Sequence, residues 1–147
     1  MSVKPIPDGY HVVTPYLIVK GVDKLLDFMQ KTFDAKVVER HAMPDGNVMH
    51  AEAKIGDSIV MMGEAMGNFA PIPAGMYIYV EDTDKTYQKA LAAGATSTMP
   101  PADQFYGDRN AGVKDMCGNQ WWIATRKENL TPQELAKRAE ENMKKKK

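Results

Sequence analysis

The chain has 147 residues, 44% of them hydrophobic and 26% charged, and its 19 lysine and arginine residues balance its 19 aspartate and glutamate residues. This length and composition are typical of one globular domain or of two small modules that share a core. A net charge of zero gives no electrostatic basis for binding nucleic acid or a membrane surface, so we expect neither partner. The single cysteine, Cys117, and the lack of an apolar run of about 18 residues predict a cytoplasmic protein without disulfides or membrane spans.

The first half of the chain predicts a strand, a helix and three further strands. Apolar residues recur at helical spacing from Val22 to Phe33, and Asp34 tolerates the left-handed conformation that ends a helix. Pro44 and Gly46 indicate a tight turn. The strands are predicted over residues 12–19, 36–43, 48–55 and 59–64, and the helix over residues 22–33. We assign this βαβββ module to residues 10–64.

The second half repeats this order after a linker at residues 65–75, which is rich in glycine and proline. The second module, residues 76–126, is predicted to have strands at 76–80, 96–99, 111–115 and 120–125, a helix at 83–93, and an irregular connection at 100–110.

A C-terminal helix and basic tail are predicted over residues 130–147. Thr131 and Glu134 have the spacing of a capping box, and Pro132 takes the first helical position.

The two modules are related by an internal repeat. Residues 16–24 resemble residues 77–85 at an offset of 61, and residues 56–62 resemble residues 118–124 at an offset of 62. Two matches in the same order indicate a duplicated unit. We therefore predict an α+β fold in which two βαβββ modules form a curved mixed sheet with a central cleft, plus a C-terminal helix. The functional site is predicted to lie in that cleft.

Paired βαβββ modules resemble the vicinal oxygen chelate superfamily, which includes glyoxalase I, bleomycin-resistance proteins, fosfomycin-resistance enzymes and extradiol dioxygenases. The resemblance is carried by residues 16–19 leading into Asp23, and by residues 79–84, 92–95 and 115–119. Residues 49–52, 56–58 and 103–109 are similar to a narrower branch, labelled glyoxalase-like or 3-demethylubiquinone-methyltransferase-like. The resemblance implies a homodimer, in which the cleft is often completed across two chains.

The resemblance also implies where a metal would be bound. In metal-dependent members, four ligands come from the first and last strands of each module, at positions that correspond here to Thr14, Val60, Gly75 and Trp122. None of these residues has an imidazole, carboxylate or thiolate group, which are the usual ligands. We therefore predict that the usual metal site is absent, and we assign no metal and no cofactor.

Strand alternation predicts what faces the cleft. Ile59 and Met61 match Trp121 and Ile123 in the repeat and would face the helices. With a three-residue turn at residues 56–58, His50 and Glu52 would share the cleft face with Met62 and Glu64. Tyrosines of the opening strands would join Met62 and Trp122 in an aromatic pocket for a flat ligand, or would fill the cleft. Arg109 would hold an anionic group. The predicted ligand-binding residues are Tyr16, His50, Glu52, Met62, Tyr77, Tyr79, Arg109 and Trp122.

His50 and Glu52 are the candidate catalytic residues, because positions i and i+2 of a strand share a face. They would act as a base and its orienting partner, or with Glu64 as an unconventional metal site, or they are polar residues on a solvated face. His11 and His41 are assigned to strand edges.

Three functions are compatible with these patterns. The first is metal-free binding of an aromatic or amphipathic small molecule in the cleft. The second is a lyase, isomerase or dioxygenase whose site surrounds His50, Glu52 and Glu64. The third is a non-catalytic dimer with a filled cleft.

Overall fold

The computed structural model describes residues 2–146, and its elements follow the predicted order. The strands are β1 (Tyr16–Val19), β2 (Lys36–Ala42), β3 (Val48–Ile55), β4 (Ser58–Glu64), β5 (Gly75–Tyr79), β6 (Thr96–Asp103), β7 (Asp108–Lys114) and β8 (Gln120–Arg126). The helices are α1 (Val22–Phe33), α2 (Thr83–Ala92) and α3 (Pro132–Lys145).

The strands form two four-stranded mixed sheets of the same topology, with orders β1-β4-β3-β2 and β5-β8-β7-β6. In each sheet the first and last strands of the module are parallel and the other pairs are antiparallel. The α+β class, the two modules and the C-terminal helix are therefore confirmed. Helix α1 packs on β3 and helix α2 packs on β7, so each sheet has one helix-covered face. We call the opposite face the open face.

The two modules share one core on the helix-covered side. Helix α1 packs against α2, and the rings of Phe28 and Phe33 lie 5.9 and 5.2 Å from that of Trp121 on β8. Burying these large side chains together is the main force that joins the modules. The open faces are therefore the faces that this core leaves available.

Helix α1 begins where a carboxylate from another element caps it. Glu64, at the end of β4, accepts hydrogen bonds from the backbone N–H groups of Gly21 at 3.1 Å and Val22 at 3.2 Å. A negative charge there satisfies unpaired donors and complements the helix dipole. Glu64 is thus committed to the helix terminus, and its predicted place beside His50 and Glu52 is wrong.

The connection predicted at residues 100–110 is largely strand. Strand β6 continues to Asp103 and β7 begins at Asp108, which leaves a turn at residues 104–107. Pro100 and Pro101 suggested an irregular segment, but β6 is an edge strand and its register shifts between Met99 and Ala102. Proline is tolerated at both kinds of position because it has no N–H to donate.

Helix α3 starts with the predicted capping box, in which Thr131 and Glu134 exchange hydrogen bonds. None of its described residues is buried, and Arg138 anchors it by donating to Glu128 at 2.8 and 3.1 Å. Across residues 2–146, no helix combines the length and the apolar character that crossing a membrane requires.

Candidate functional site

The register of the β3–β4 hairpin decides which side chains reach the open face. Ile55 pairs with Ser58, so the turn has two residues, whereas the β7–β8 turn has five between Lys114 and Gln120. Aligning the glycines of these unequal turns shifts β4 by one residue, and a shift of one exchanges the two faces of a strand. The cleft-facing assignment of Met62 is therefore wrong, since its side chain is fully buried on the helix-covered face.

Strand pairing gives the correct equivalence between the closing strands. Tyr16 pairs with Met61 in the first sheet, and Tyr77 pairs with Trp122 in the second. Met61, and not Val60, therefore corresponds to Trp122, and the open face of β4 presents Met61 and Gly63.

A polar chain runs across the open face of the first sheet. The Tyr16 hydroxyl lies 3.3 Å from His50 Nδ1, and His50 Nε2 lies 2.8 Å from Glu52 Oε2. The other carboxylate oxygen of Glu52 accepts a hydrogen bond from the Tyr10 hydroxyl. Each nitrogen of the His50 imidazole thus has a partner. The chain runs from the buried Glu52 carboxylate to Tyr16, which is 53% exposed.

Two groups of this hydrogen-bonded chain, Glu52 and Tyr10, have shifted pKa values. Burial raises the pKa of Glu52, but hydrogen bonds from His50 and Tyr10 outweigh burial, so its pKa is lowered and the carboxylate is ionised at neutral pH. The hydrogen bond to Glu52, with burial, raises the pKa of Tyr10 to about 12, so Tyr10 stays a donor.

Gly63 allows Tyr16 to reach the imidazole. Gly63 pairs with His50 across the β3–β4 ladder. A Cβ atom at position 63 would lie only 2.7 Å from the Tyr16 hydroxyl oxygen, so a larger residue would displace the ring.

Strand β2 brings two further polar residues beside this chain. Glu39 pairs with Glu52 and His41 pairs with His50, and His41 Nε2 lies 3.2 Å from Glu39 Oε2. Ligand atoms of Glu39, His50 and Glu52 all lie within 4.8 Å of one another. The sequence reasoning missed Glu39, Tyr10 and the role of His41. The available signal was the mirrored spacing of Glu39-Arg40-His41 and His50-Ala51-Glu52 on either side of the turn after Met43.

The open face of the second sheet has a different character, because tyrosines are gathered around a buried acid. The hydroxyl of Tyr77 donates to Asp108 Oδ2 at 2.7 Å, and that of Tyr79 does so at 3.4 Å. The Asn110 amide donates to the hydroxyls of Tyr77 at 3.1 Å and Tyr106 at 2.6 Å. Burial, with the hydrogen bond to Asp108, raises the pKa of Tyr77, although the hydrogen bond from Asn110 opposes this.

Trp122 lies beside this cluster with its ring over Gly75. A Cβ atom at Gly75 would be 3.1 Å from Trp122 Cζ3, so the glycine gives the indole its place on the sheet. Tyr77, Tyr79 and Trp122 remain 40%, 64% and 37% exposed, which makes an aromatic surface accessible within a single chain.

Arg109 does not reach either open face. Its guanidinium donates to both carboxylate oxygens of Asp84 on α2, at 2.7 and 2.9 Å, and to Asp103 at 3.2 Å. Two acids therefore already neutralise it on the helix-covered side, and its predicted place in the cleft is wrong.

Three of the predicted residues, Tyr16, Tyr77 and Tyr79, line two separate depressions in one chain. A groove of about 720 Å3 between the modules includes Tyr77 and Tyr79. A smaller one of about 300 Å3 lies at Tyr16, Gly63 and Phe69. His50, Glu52 and Trp122 line neither of these two.

The sequence model of the Glyoxalase/Bleomycin resistance protein/Dioxygenase superfamily matches residues 10–123, which covers both sheets. The chain belongs to this superfamily. An uncharacterized protein of Mycobacterium bovis is 33% identical in an alignment of 120 positions that covers 74% of this chain and 79% of that protein.

Solved structures of the superfamily fold agree with this assignment. TioX from Micromonospora sp. ML1 superposes with a TM-score of 0.67 at 22% identity, over 78% of this chain and 97% of that chain. A putative 3-demethylubiquinone-9 3-methyltransferase, PhnB protein, from Bacillus cereus gives 0.62 at 18% identity, over 78% and 99%. At these identities the likeness concerns the fold.

The positions that hold metal in metal-dependent members of the superfamily do not fit a metal here. With the corrected register they are Thr14, Met61, Gly75 and Trp122. Gly75 has no side-chain donor atom, and the indole N–H of Trp122 only donates. The Thr14 hydroxyl already donates to the carbonyl of His11 at 3.1 Å.

Proposed function

We propose that this superfamily member binds a small aromatic or amphipathic molecule on the open faces of its sheets, without the metal site of metal-dependent members. The observation that carries the proposal is the surface formed by Trp122, Tyr77 and Tyr79. These rings are exposed, yet hydrogen bonds to Asp108 and the close fit over Gly75 fix their orientation. A rigid aromatic surface with polar groups at its edge suits a flat ligand, because little conformational entropy is lost on binding.

A homodimer is part of the proposal. The shared core leaves both open faces uncovered within one chain, and Tyr16 and Tyr79 remain more than half exposed. A second copy placed against these faces would enclose a ligand between two sheets. In the alternative of a filled cleft, the exposed aromatic rings of the two copies would instead pack against one another across the interface. A cytoplasmic location stays a prediction from the single Cys117.

The proposal is tested with 8-anilino-1-naphthalenesulfonate, an amphipathic aromatic probe whose fluorescence rises in apolar sites. Trp122→Ala is expected to weaken probe binding about tenfold, because one stacking surface of an aromatic site contributes on the order of 1.4 kcal/mol. Light scattering on the same samples measures whether the 16.4 kDa chain is dimeric.

Met143→Ala is the matched control, because Met143 is an exposed apolar residue on α3 and lies outside both sheets. Met143→Ala should bind the probe with the same affinity as the wild type. Added EDTA should change the affinity of neither protein. Equal binding by Trp122→Ala and wild type, or binding that EDTA removes, contradicts the proposal.

A second candidate function is acid–base catalysis on the first sheet. The specific observation is that His50 is held between the exposed Tyr16 hydroxyl and the ionised Glu52 carboxylate. A carboxylate that orients an imidazole, which in turn contacts a hydroxyl, is an arrangement that moves protons in enzymes. A lyase, isomerase or dioxygenase of the superfamily would use His50 as the base.

Hemithioacetals and catechols are suitable test substrates, since the superfamily name includes glyoxalases and dioxygenases. Any turnover should fall by at least about 100-fold in His50→Ala, in line with the usual contribution of a general base. His11→Ala, which alters an exposed histidine bonded to the carbonyl of Asp57, should leave the rate unchanged. Full activity of His50→Ala would rule out this candidate.

A further inference from the structure

We propose that Glu39, His50 and Glu52 bind a divalent first-row transition-metal ion on the open face of the first sheet. The site is distinct from the superfamily's metal positions, which are just before β1 and on β4, β5 and β8, because its ligands lie on β2 and β3. The inference concerns metal binding and does not depend on the proposed ligand or on any reaction.

The geometry of the three ligands is close to that of a metal site. His50 Nε2 and Glu52 Oε2 are 2.8 Å apart, and all three ligand atoms lie within 4.8 Å of one another. Ligands at the usual zinc distance of about 2.1 Å from the ion are separated by no more than roughly 4.2 Å. The half-exposed Glu39 side chain would rotate toward the other two ligands to complete the set.

The charges of the sheet favour a cation at this place. Glu39 and Glu52 are directly opposite each other across the β2–β3 ladder. Like charges in such a pair repel, and a cation between them converts that repulsion into attraction. Glu52 is also buried, so the surrounding sheet holds its carboxylate in place for a cation.

Each ligand also has an outer partner that fixes its orientation. His41 lies 3.2 Å from the carboxylate of Glu39, and Tyr10 donates to the second oxygen of Glu52. With Nε2 of His50 on the metal, Nδ1–H faces the Tyr16 hydroxyl oxygen at 3.3 Å. Outer partners of this kind are a regular feature of protein metal sites, and their loss weakens binding about 10–100-fold.

One imidazole and two carboxylates select the chemical class of the ion. Imidazole suits zinc, iron and nickel better than magnesium or calcium, and carboxylates accept any of these ions. Three protein ligands leave a coordination position open on the solvent side, where the Glu39 and His41 side chains are 48% and 66% exposed.

The test is a titration of EDTA-stripped, dialysed full-length protein with Zn²⁺ in competition with the chromophoric chelator mag-fura-2. We expect one Zn²⁺ per chain. Glu39→Gln, His50→Ala and Glu52→Gln should each weaken affinity at least 100-fold, and Tyr16→Phe about tenfold. Far-UV circular dichroism establishes that each variant is folded. If a ligand variant does not fold, the site is tested in the folded proteins instead. The Co²⁺ absorption spectrum of the wild type, compared with that of Tyr16→Phe, then reports whether nitrogen and oxygen atoms bind the ion.

Two control variants distinguish this site from Zn²⁺ binding elsewhere on the chain. His11→Ala removes a histidine outside the site, and Glu64→Gln removes the carboxylate that caps α1, so both should keep wild-type Zn²⁺ affinity. The proposal is overturned if wild type binds no Zn²⁺, if His50→Ala binds as tightly as wild type, or if either control loses affinity as the ligand variants do. None of these results bears on probe binding at Trp122, so the two proposals fail separately.

Discussion

Replacing Trp121 by alanine is expected to lower the free energy of unfolding by about 3–5 kcal/mol, whereas replacing its neighbour Trp122 should cost about 1 kcal/mol or less. Trp121 is fully buried, packs against the rings of Phe28 and Phe33, which also contact each other, and donates its indole N–H to Asp115 at 2.7 Å. Trp122 points to the open face and is 37% exposed. The two variants therefore remove the same side chain from opposite faces of one strand.

Urea unfolding followed by far-UV circular dichroism measures the difference without relying on tryptophan fluorescence. If Trp121→Ala does not fold, Trp121→Phe keeps an apolar ring and is expected to lose about 1–2 kcal/mol, because the indole hydrogen bond and part of the packing are removed. Similar losses for the variants at positions 121 and 122 would show that the two faces of β8 are assigned incorrectly.

Local signals were sufficient for most elements of this fold. The helical spacing from Val22 to Phe33 and the capping box at Thr131 predicted α1 and the start of α3, because each depends on neighbours within one or two turns. The internal repeat then predicted the module order. These features need no knowledge of which strands pair, so the sequence contains them directly.

Side-chain orientation depends on strand register, which the sequence specified less well. The turns at Gly56 and Gly118 look alike in sequence, yet one has two residues and the other has five. Matching their glycines exchanged the two faces of β4, and the three-residue turn predicted at residues 56–58 wrongly placed Met62 and Glu64 beside His50. The parallel pairing of β1 with β4 corrects this, and it is a long-range contact that local patterns do not report.

The same register explains how the candidate site on the first sheet is assembled. It places Gly63 opposite His50, which makes room for Tyr16, and the β2–β3 ladder adds Glu39 opposite Glu52. The i, i+2 spacing of His50 and Glu52 is visible within one strand. The carboxylate of Glu39 lies on the neighbouring strand, and only the β2–β3 pairing places it beside them. A search for mirrored acid and histidine spacing across a predicted hairpin would have identified Glu39.

Replacing Asp115 by alanine is expected to destabilise the protein by about 3 kcal/mol or more, because it leaves several buried donors without an acceptor. The Asp115 carboxylate accepts from the backbone N–H groups of Cys117 at 2.7 Å and Asn119 at 3.1 Å, and from the indole of Trp121 at 2.7 Å. The Asn119 amide also donates to it at 3.0 Å, while the amide oxygen accepts from the linker N–H of Ala74 at 3.0 Å. One buried side chain thus fixes the β7–β8 turn, the core tryptophan and, through Asn119, the segment that enters β5.

Asp115→Asn should lose roughly half as much stability, since the amide keeps one acceptor oxygen but presents an N–H₂ group to one set of donors. Asp8→Ala, which removes a carboxylate that is 85% exposed and paired with the exposed Lys4, should change the unfolding free energy by less than about 0.5 kcal/mol. A double-mutant cycle between Asp115→Asn and Trp121→Phe should show coupling of about 1 kcal/mol, because the two side chains share a buried hydrogen bond. Additive losses would mean that the indole N–H and the carboxylate act independently, and that Asp115 stabilises only the β7–β8 turn.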